Sequence, residues 1–152
     1  MTSLQELSLL KIKFDIREME HIRPRTDLRK LELCPEINPE ALDIICVNFR
    51  NLEKLRLAAC LELTDADGTK LRHLEHLRSL KLEGASRLTD LTFVEGLNSP
   101  SLAVLFISEC GLTDVGLAGI AAHHACLRHL SLRLIYFPTH LLKEANFSRK
   151  RG

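Results

Sequence analysis

The 152 residues amount to one domain of ordinary size, 45% hydrophobic and 27% charged, a globular balance rather than a disordered one. A formal charge of +1, from 21 Lys plus Arg against 20 Asp plus Glu, gives no global field for nucleic acid or an anionic membrane, so electrostatic recognition has to be local. No apolar run approaches the ~20 residues that span a bilayer, and the amino terminus, MTSLQELSLLKIKFD, lacks the basic-then-apolar order of a signal peptide.

One phrase, Leu-x-x-Leu-x-Leu, recurs along the chain. It begins at Leu4, Leu28, Leu52, Leu77, Leu102 and Leu127, at steps of 24, 24, 25, 25 and 25 residues, and of its eighteen ladder positions only Ile107 is not leucine. The second and third ladder residues lie two apart, on one face of a strand, while the first anchors the chain ahead of it. No single unit buries both sides of its apolar layer, so a fixed period implies units that complete one another by stacking. The expected fold is α/β, a horseshoe-shaped solenoid of about six repeats over residues 1–147. Its parallel β-sheet lines the concave face, helices line the convex face, and a short basic tail follows at 148–152.

Between ladders the chain reads as helices. In the first unit Asp15 and Glu18 have the spacing of a capping box ahead of Ile16, Met19 and Ile22. In the second, Asn38 is the expected cap and Pro39 the first helical residue, with Leu42, Ile45, Cys46 and Phe49 as the inward stripe. The third, fourth and fifth units share Leu-Thr-Asp at 63–65, 88–90 and 112–114. There Thr or Asp can accept orphan amide hydrogens at a helix start while Leu faces the core. Asp65, Asp90 and Asp114 are therefore poor candidates for catalytic carboxylates. In the fifth unit a helix over 116–124 carries Leu117, Ile120 and Ala121 on one face. The sixth unit repeats the second, Tyr136 to Leu141 matching Ile37 to Leu42, and a final helix is expected through Leu142, Ala145 and Phe147.

Five cysteines, at 34, 46, 60, 110 and 126, form an odd set without a CxxC pair. They read as reduced, buried thiols of an intracellular protein, cytoplasmic or nuclear. The phrases LEKLRLAACLELTDADG and LAVLFISECGLTDVGL resemble the cysteine-containing class of leucine-rich repeats, LxxLxLxxCxxITDxGL, with Cys60 and Cys110 each three residues past the ladder. The fourth unit departs from it with Ala85 in place of Cys, and the second carries Cys34 at another offset.

The resemblance covers nearly the whole chain. It implies kinship with F-box/leucine-rich-repeat proteins, the substrate receptors of SCF ubiquitin ligases, and with antagonist of mitotic exit network-like proteins. An F-box is a helical segment of about fifty residues ahead of the repeats, whereas the first ladder here begins at Leu4. Binding to the ligase adaptor is thus expected only if an F-box precedes this sequence.

On the concave face, the residues between ladder positions form two columns: Glu6, Lys30, Lys54, Ser79, Val104, His129 and Ser8, Glu32, Arg56, Lys81, Phe106, Ser131. Lys30, Lys54, Arg56 and Lys81 make a modest basic patch, partly balanced by Glu32 and Glu53. Phe106 beside Val104 is an outward aromatic with no core to explain it. The expected protein-binding residues are Lys30, Glu32, Lys54, Arg56, Lys81, Val104, Phe106 and His129, with Phe106 anchoring a partner and the patch selecting its acidic side.

No metal, cofactor or catalytic residues are expected. His123, His124, Cys126 and Cys110 lack ligand spacing, Asp65-Ala66-Asp67-Gly68 lacks the closing acid of a calcium loop because residue 76 is His, and neither a phosphate loop nor a nucleophile elbow is present. His73 and His76 read as solvated positions on a shared helix face. The function expected is a non-enzymatic protein-binding module, the substrate-recognition part, or a truncated relative, of an SCF-type ubiquitin ligase receptor. The alternative is a standalone regulatory scaffold or competitive inhibitor with no ligase link. Uncapped ends of the stack make self-association an expected liability.

Overall fold

Alternation of leucine with polar residues makes each ladder phrase a strand. The structure, a computed structural model, describes residues 3–10, 15–18, 21, 26–34, 36–133 and 144–148. Strands β1 (Leu4–Leu9), β2 (Thr26–Leu33), β3 (Lys54–Leu57), β4 (Ser79–Leu82), β5 (Val104–Ser108) and β6 (His129–Arg133) lie side by side in chain order, every neighbour parallel. A further strand, β7 (Glu144–Ser148), pairs antiparallel with β6. The protein is α/β, built on one sheet that is parallel throughout its first six strands.

Register follows the leucines. Leu31, Leu55, Leu80, Leu105 and Leu130 stand opposite one another across five strands, as do Leu33, Leu57, Leu82, Ile107 and Leu132. All ten are buried, in one continuous core with Leu28, Leu52, Leu77 and Leu102. The first unit differs: Leu7 and Leu9 are half-buried and Leu4 is 43% exposed, and a register shift separates Leu4 from Glu6.

The segments behind the sheet are α1 (Pro39–Asn48), α2 (Asp65–Gly68) running into a 3-10 turn (Thr69–His73), α3 (Asp90–Glu95) and α4 (Asp114–His123). Asn38 caps α1 by accepting from the Ala41 amide at 2.8 Å, with Pro39 as the first helical residue. Leu42, Ile45, Cys46 and Phe49 are buried on its inner side as the pattern predicts. In α4 the inward line is Gly116, Ile120 and, just past the helix, His124; Ala121 is exposed and Leu117 half-buried. The helix turns this face inward because only a glycine fits at 116, where an added Cβ would lie 2.2 Å from Asp90 Oδ1.

Two ends depart from expectation. Among the described residues of the first unit a 3-10 turn, Ile16–Glu18, follows Asp15, which accepts from the Arg17 amide at 3.0 Å; Met19 and Ile22 lie outside the described residues. The expected last helix through Ala145 and Phe147 is instead β7, while Leu142 and the stretch 136–141 lie outside the described residues. A five-residue helix nucleates poorly, and the free edge of β6 offers a row of unpaired peptide groups that a strand satisfies at once.

The Leu-Thr-Asp triplets do more than cap locally. Thr64, Thr89 and Thr113 are the residues before α2, α3 and α4, and Leu63, Leu88 and Leu112 are buried. Asp67 closes a capping box with Thr64. Asp65, however, reaches into the next unit, accepting from the Thr89 amide at 2.8 Å, from Thr89 Oγ1 at 2.6 Å, and from the amide and hydroxyl of Thr92. Asp90 repeats this, accepting from the Thr113 amide at 2.7 Å and from its hydroxyl. Each carboxylate thus caps the helix of its successor and ties the units along their outer edge. Burial works to raise the Asp65 pKa, but the hydrogen bonds from Thr89 and Thr92 outweigh it and hold the carboxyl below its ordinary value.

Where each strand turns toward its helix, Ala59, Gly84 and Glu109 adopt φ of 54°, 69° and 60°. These positions are 25 residues apart; the residue after each of the first two makes the same bond, Cys60 N to Glu83 O at 3.0 Å and Ala85 N to Ser108 O at 3.2 Å, whereas at the third the amide of Glu109 itself donates to Arg133 O at 2.7 Å. Only at 84 does glycine relieve the left-handed conformation; Ala59 and Glu109 hold it because their neighbours' turns fix the path.

Two stability outcomes follow from the inter-unit contacts. Gly116→Ala, which helix propensity alone would favour by ~0.5–1 kcal/mol, destabilises by about 1–3 kcal/mol in denaturant titration because the methyl meets Asp90 and Leu112. Asp65→Ala costs about 1–2 kcal/mol at pH 7. With its folded pKa lowered, Asp65 contributes fully above the unfolded value of about 3.9, and the contribution is lost as pH falls through the folded value. The gap between wild type and Asp65→Ala therefore closes on acidification below about pH 4.

Candidate functional site

The face of the sheet opposite the helices carries the residues between the ladder leucines. Register places Glu6, Lys30, Lys54, Ser79, Val104 and His129 in one row, each opposite the next, and Ser8, Glu32, Arg56, Lys81, Phe106 and Ser131 in a second. All eight candidate residues, Lys30, Glu32, Lys54, Arg56, Lys81, Val104, Phe106 and His129, fall in these two rows on one surface. Lys54, Lys81 and His129 are exposed; Lys30, Glu32, Arg56, Val104 and Phe106 are half-buried.

Charge on this face is uneven. Lys30 Nζ lies 3.8 Å from Glu6 and 3.5 Å from Glu32, so β1 and β2 neutralise themselves. The Arg56 guanidinium is held by Glu83, Nε and Nη2 each at 2.9 Å from Oε1. Glu53 pairs instead with Arg29 and Arg78 at the start of the strands, so it does not balance the patch as expected. Among the described residues no ion pair is made by Lys54 or Lys81. The basic patch thus reduces to these two lysines, with Phe106 on β5 directly opposite Lys81 and Val104 two strands from Lys54 in the same row. Glu83 was the residue sequence reasoning missed: it lies two past Lys81, and extending the period-two column by one step would have put it on this face.

The other candidate clusters assemble differently. Cys46, Cys60 and Cys110 are buried, and burial pushes their thiols up to about 12, about 12 and about 11. Cys60 donates to Leu57 O at 3.6 Å. Cys34 and Cys126 are exposed, against the expectation of five buried thiols. Cys34 follows the inward Leu33, so strand alternation turns it to the other side, and Cys126 lies in the turn after α4. Among the described residues no three His, Cys, Asp or Glu side chains come together as metal ligands, and His73, His76 and His123 are exposed.

His124 is buried, 2% exposed, at the position occupied by Phe49, Leu74 and Ser99 in the preceding units. Its Nδ1 is 3.2 Å from Ser99 O, and Nε2 has no hydrogen-bond partner among the described residues. Ser99 in turn donates to Glu75 O at 3.0 Å and to Leu77 O, so a short polar chain replaces apolar packing there. Burial lowers the His124 pKa, with the Ser99 carbonyl opposing and His123 adding to the effect. The unfolded chain therefore binds the proton first, and stability that is complete above the unfolded value of ~6.5 is lost as pH falls below it. In thermal melts, wild type loses stability between pH 7 and pH 5, and His124→Leu, which cannot take the proton, shows a flatter profile over that range.

Neither a protein-family model nor a curated protein matches the chain.

Proposed function

We propose that the chain is a leucine-rich-repeat solenoid whose concave sheet surface binds another protein and performs no covalent chemistry itself. The observation that carries this reading is the pair Val104 and Phe106, half-exposed on β5 where they serve no core, with Lys81 opposite Phe106 and Lys54 one strand beyond, neither lysine in an ion pair among the described residues. The parallel sheet with strands in chain order, and one buried leucine layer shared by successive units, supports the repeat architecture. Binding in this reading is positional: a stiff face presents side chains already fixed by the strands, so little ordering entropy opposes association.

The resemblance of the repeat phrases supports a narrower role, substrate recognition for an SCF-type ubiquitin ligase. In that role the target is held on the sheet while ubiquitin transfer takes place on other subunits.

Photo-crosslinking separates these levels. With the photoreactive residue benzoylphenylalanine placed at 106, a discrete protein adduct forms in cells. At position 115, where Val115 is 73% exposed on a helix, the same adduct does not form. Identical adducts from both positions, or none from 106, overturn the concave-face reading. The ligase adaptor among proteins co-purifying with the full-length gene product supports the receptor role; its absence, with the 106 adduct present, removes the ligase link and leaves the binding module.

A further inference from the structure

Lys54 stands directly opposite Lys30, and Lys81 directly opposite Arg56. Like charges facing one another across neighbouring strands are destabilising, so folding does not explain these two lysines. Lys30 and Arg56 each have carboxylate partners, whereas the described residues bring none to Lys54 or Lys81. One strand further on, Phe106 lies opposite Lys81 and Val104 opposite Ser79. Across β3, β4 and β5 the face therefore runs from cation, through cation, to an apolar pair.

We infer that this face takes an extended acidic segment of a partner protein, lying across the strands with two carboxylates over Lys54 and Lys81 and a large apolar side chain on Val104 and Phe106. The inference rests on the protein-binding reading above and specifies the partner. The spacing sets the conformation. From β3 to β5 is two strand separations, ~9.6 Å, and Lys54 and Phe106 stand one row apart, ~6.6 Å along the strands, so the diagonal is ~12 Å, which an extended chain covers in about four residues and an α-helix in about eight. Because only alternate residues of an extended chain face the same side, two carboxylates over Lys54 and Lys81 followed by the apolar contact make the segment read acid, any residue, acid, any residue, apolar. Such a segment neutralises the repulsion between facing cations and removes Phe106 from water in the same step.

The test uses the 152-residue protein and fluorescein-labelled decapeptides, read by anisotropy. A peptide with Asp-Ser-Asp-Ser-Phe at its centre binds saturably, and binding weakens as salt is raised. Peptides with Asn-Ser-Asn-Ser-Phe or Asp-Ser-Asp-Ser-Ser bind roughly tenfold more weakly. A peptide with Phe moved seven residues from the second acid binds no better than Asp-Ser-Asp-Ser-Ser. The double variant Lys54→Glu/Lys81→Glu loses the acidic peptide and gains one with Lys-Ser-Lys-Ser-Phe, an exchange that a merely structural role for the lysines would not produce. Phe106→Ser weakens both charge forms alike.

Should the double variant lose its native circular dichroism, Lys54→Gln and Lys81→Gln replace it, each expected to weaken the acidic peptide. Absence of saturable binding, equal binding of the Asn peptide, indifference to the lysine substitutions, or equal binding at the longer spacing overturns the inference. When the peptides fail and the adduct at position 106 forms, the acidic class is wrong and the binding module stands. When both fail, both readings fall.

Discussion

Between β2 and β5, each inward leucine rests on the leucine of the unit before and of the unit after, at the strand separation of ~4.8 Å. This contact determines most of the rest. Because the stacked side chains are nearly all alike in length, no strand slides relative to its neighbour without leaving a void, and the register is pinned without any specific hydrogen bond. A pinned register in turn forces residues on the opposite side into straight rows. The two rows of the candidate site are a by-product of core packing, and their chemistry was free to vary while their positions were not.

A second set of contacts, polar and peripheral, works on the same axis. Asp65 and Asp90 each serve the threonine that opens the following helix, and Gly116 leaves the room that Asp90 needs. The helices are short, α2 only four residues, and would not hold alone. The first turns of α3 and α4 are capped by the preceding unit's aspartate rather than only by themselves, which ties formation of these helices to docking of the adjacent unit. The leucine layer and the carboxylate line thus fasten opposite margins of the same units.

Much of this was legible in the sequence, for identifiable reasons. Leucine spacing of two within a ladder and near 25 between ladders is a period that only stacked strands satisfy, so the parallel sheet, the buried layer and both open-face rows could be read directly. Asn38 with Pro39 likewise carries its helix start in adjacent letters. What was missed depends on neighbours in space. Asp65 looks like a local cap in one dimension, and its 24-residue reach to Thr89 becomes visible only once the units are stacked. The Arg56–Glu83 pair, 27 residues apart, hides for the same reason and shrinks the basic patch to two lysines. In α4 the helical period admits two faces, and the steric demand at Gly116 chooses between them. The final strand was hidden because its five residues carry no period strong enough to compete with the analogy to the second unit.

The forward reach of the carboxylates has a bearing on how such a chain changes length over time. A segment running from one Leu-Thr-Asp triplet to the next carries both a threonine that donates and an aspartate that accepts, so a tandem duplication of that segment between residues 65 and 113 would arrive with its fastenings complete. The second unit, which opens its helix with Asn38 instead, offers no such interchangeable joint, and copies of it would have to be accommodated by new chemistry on either side.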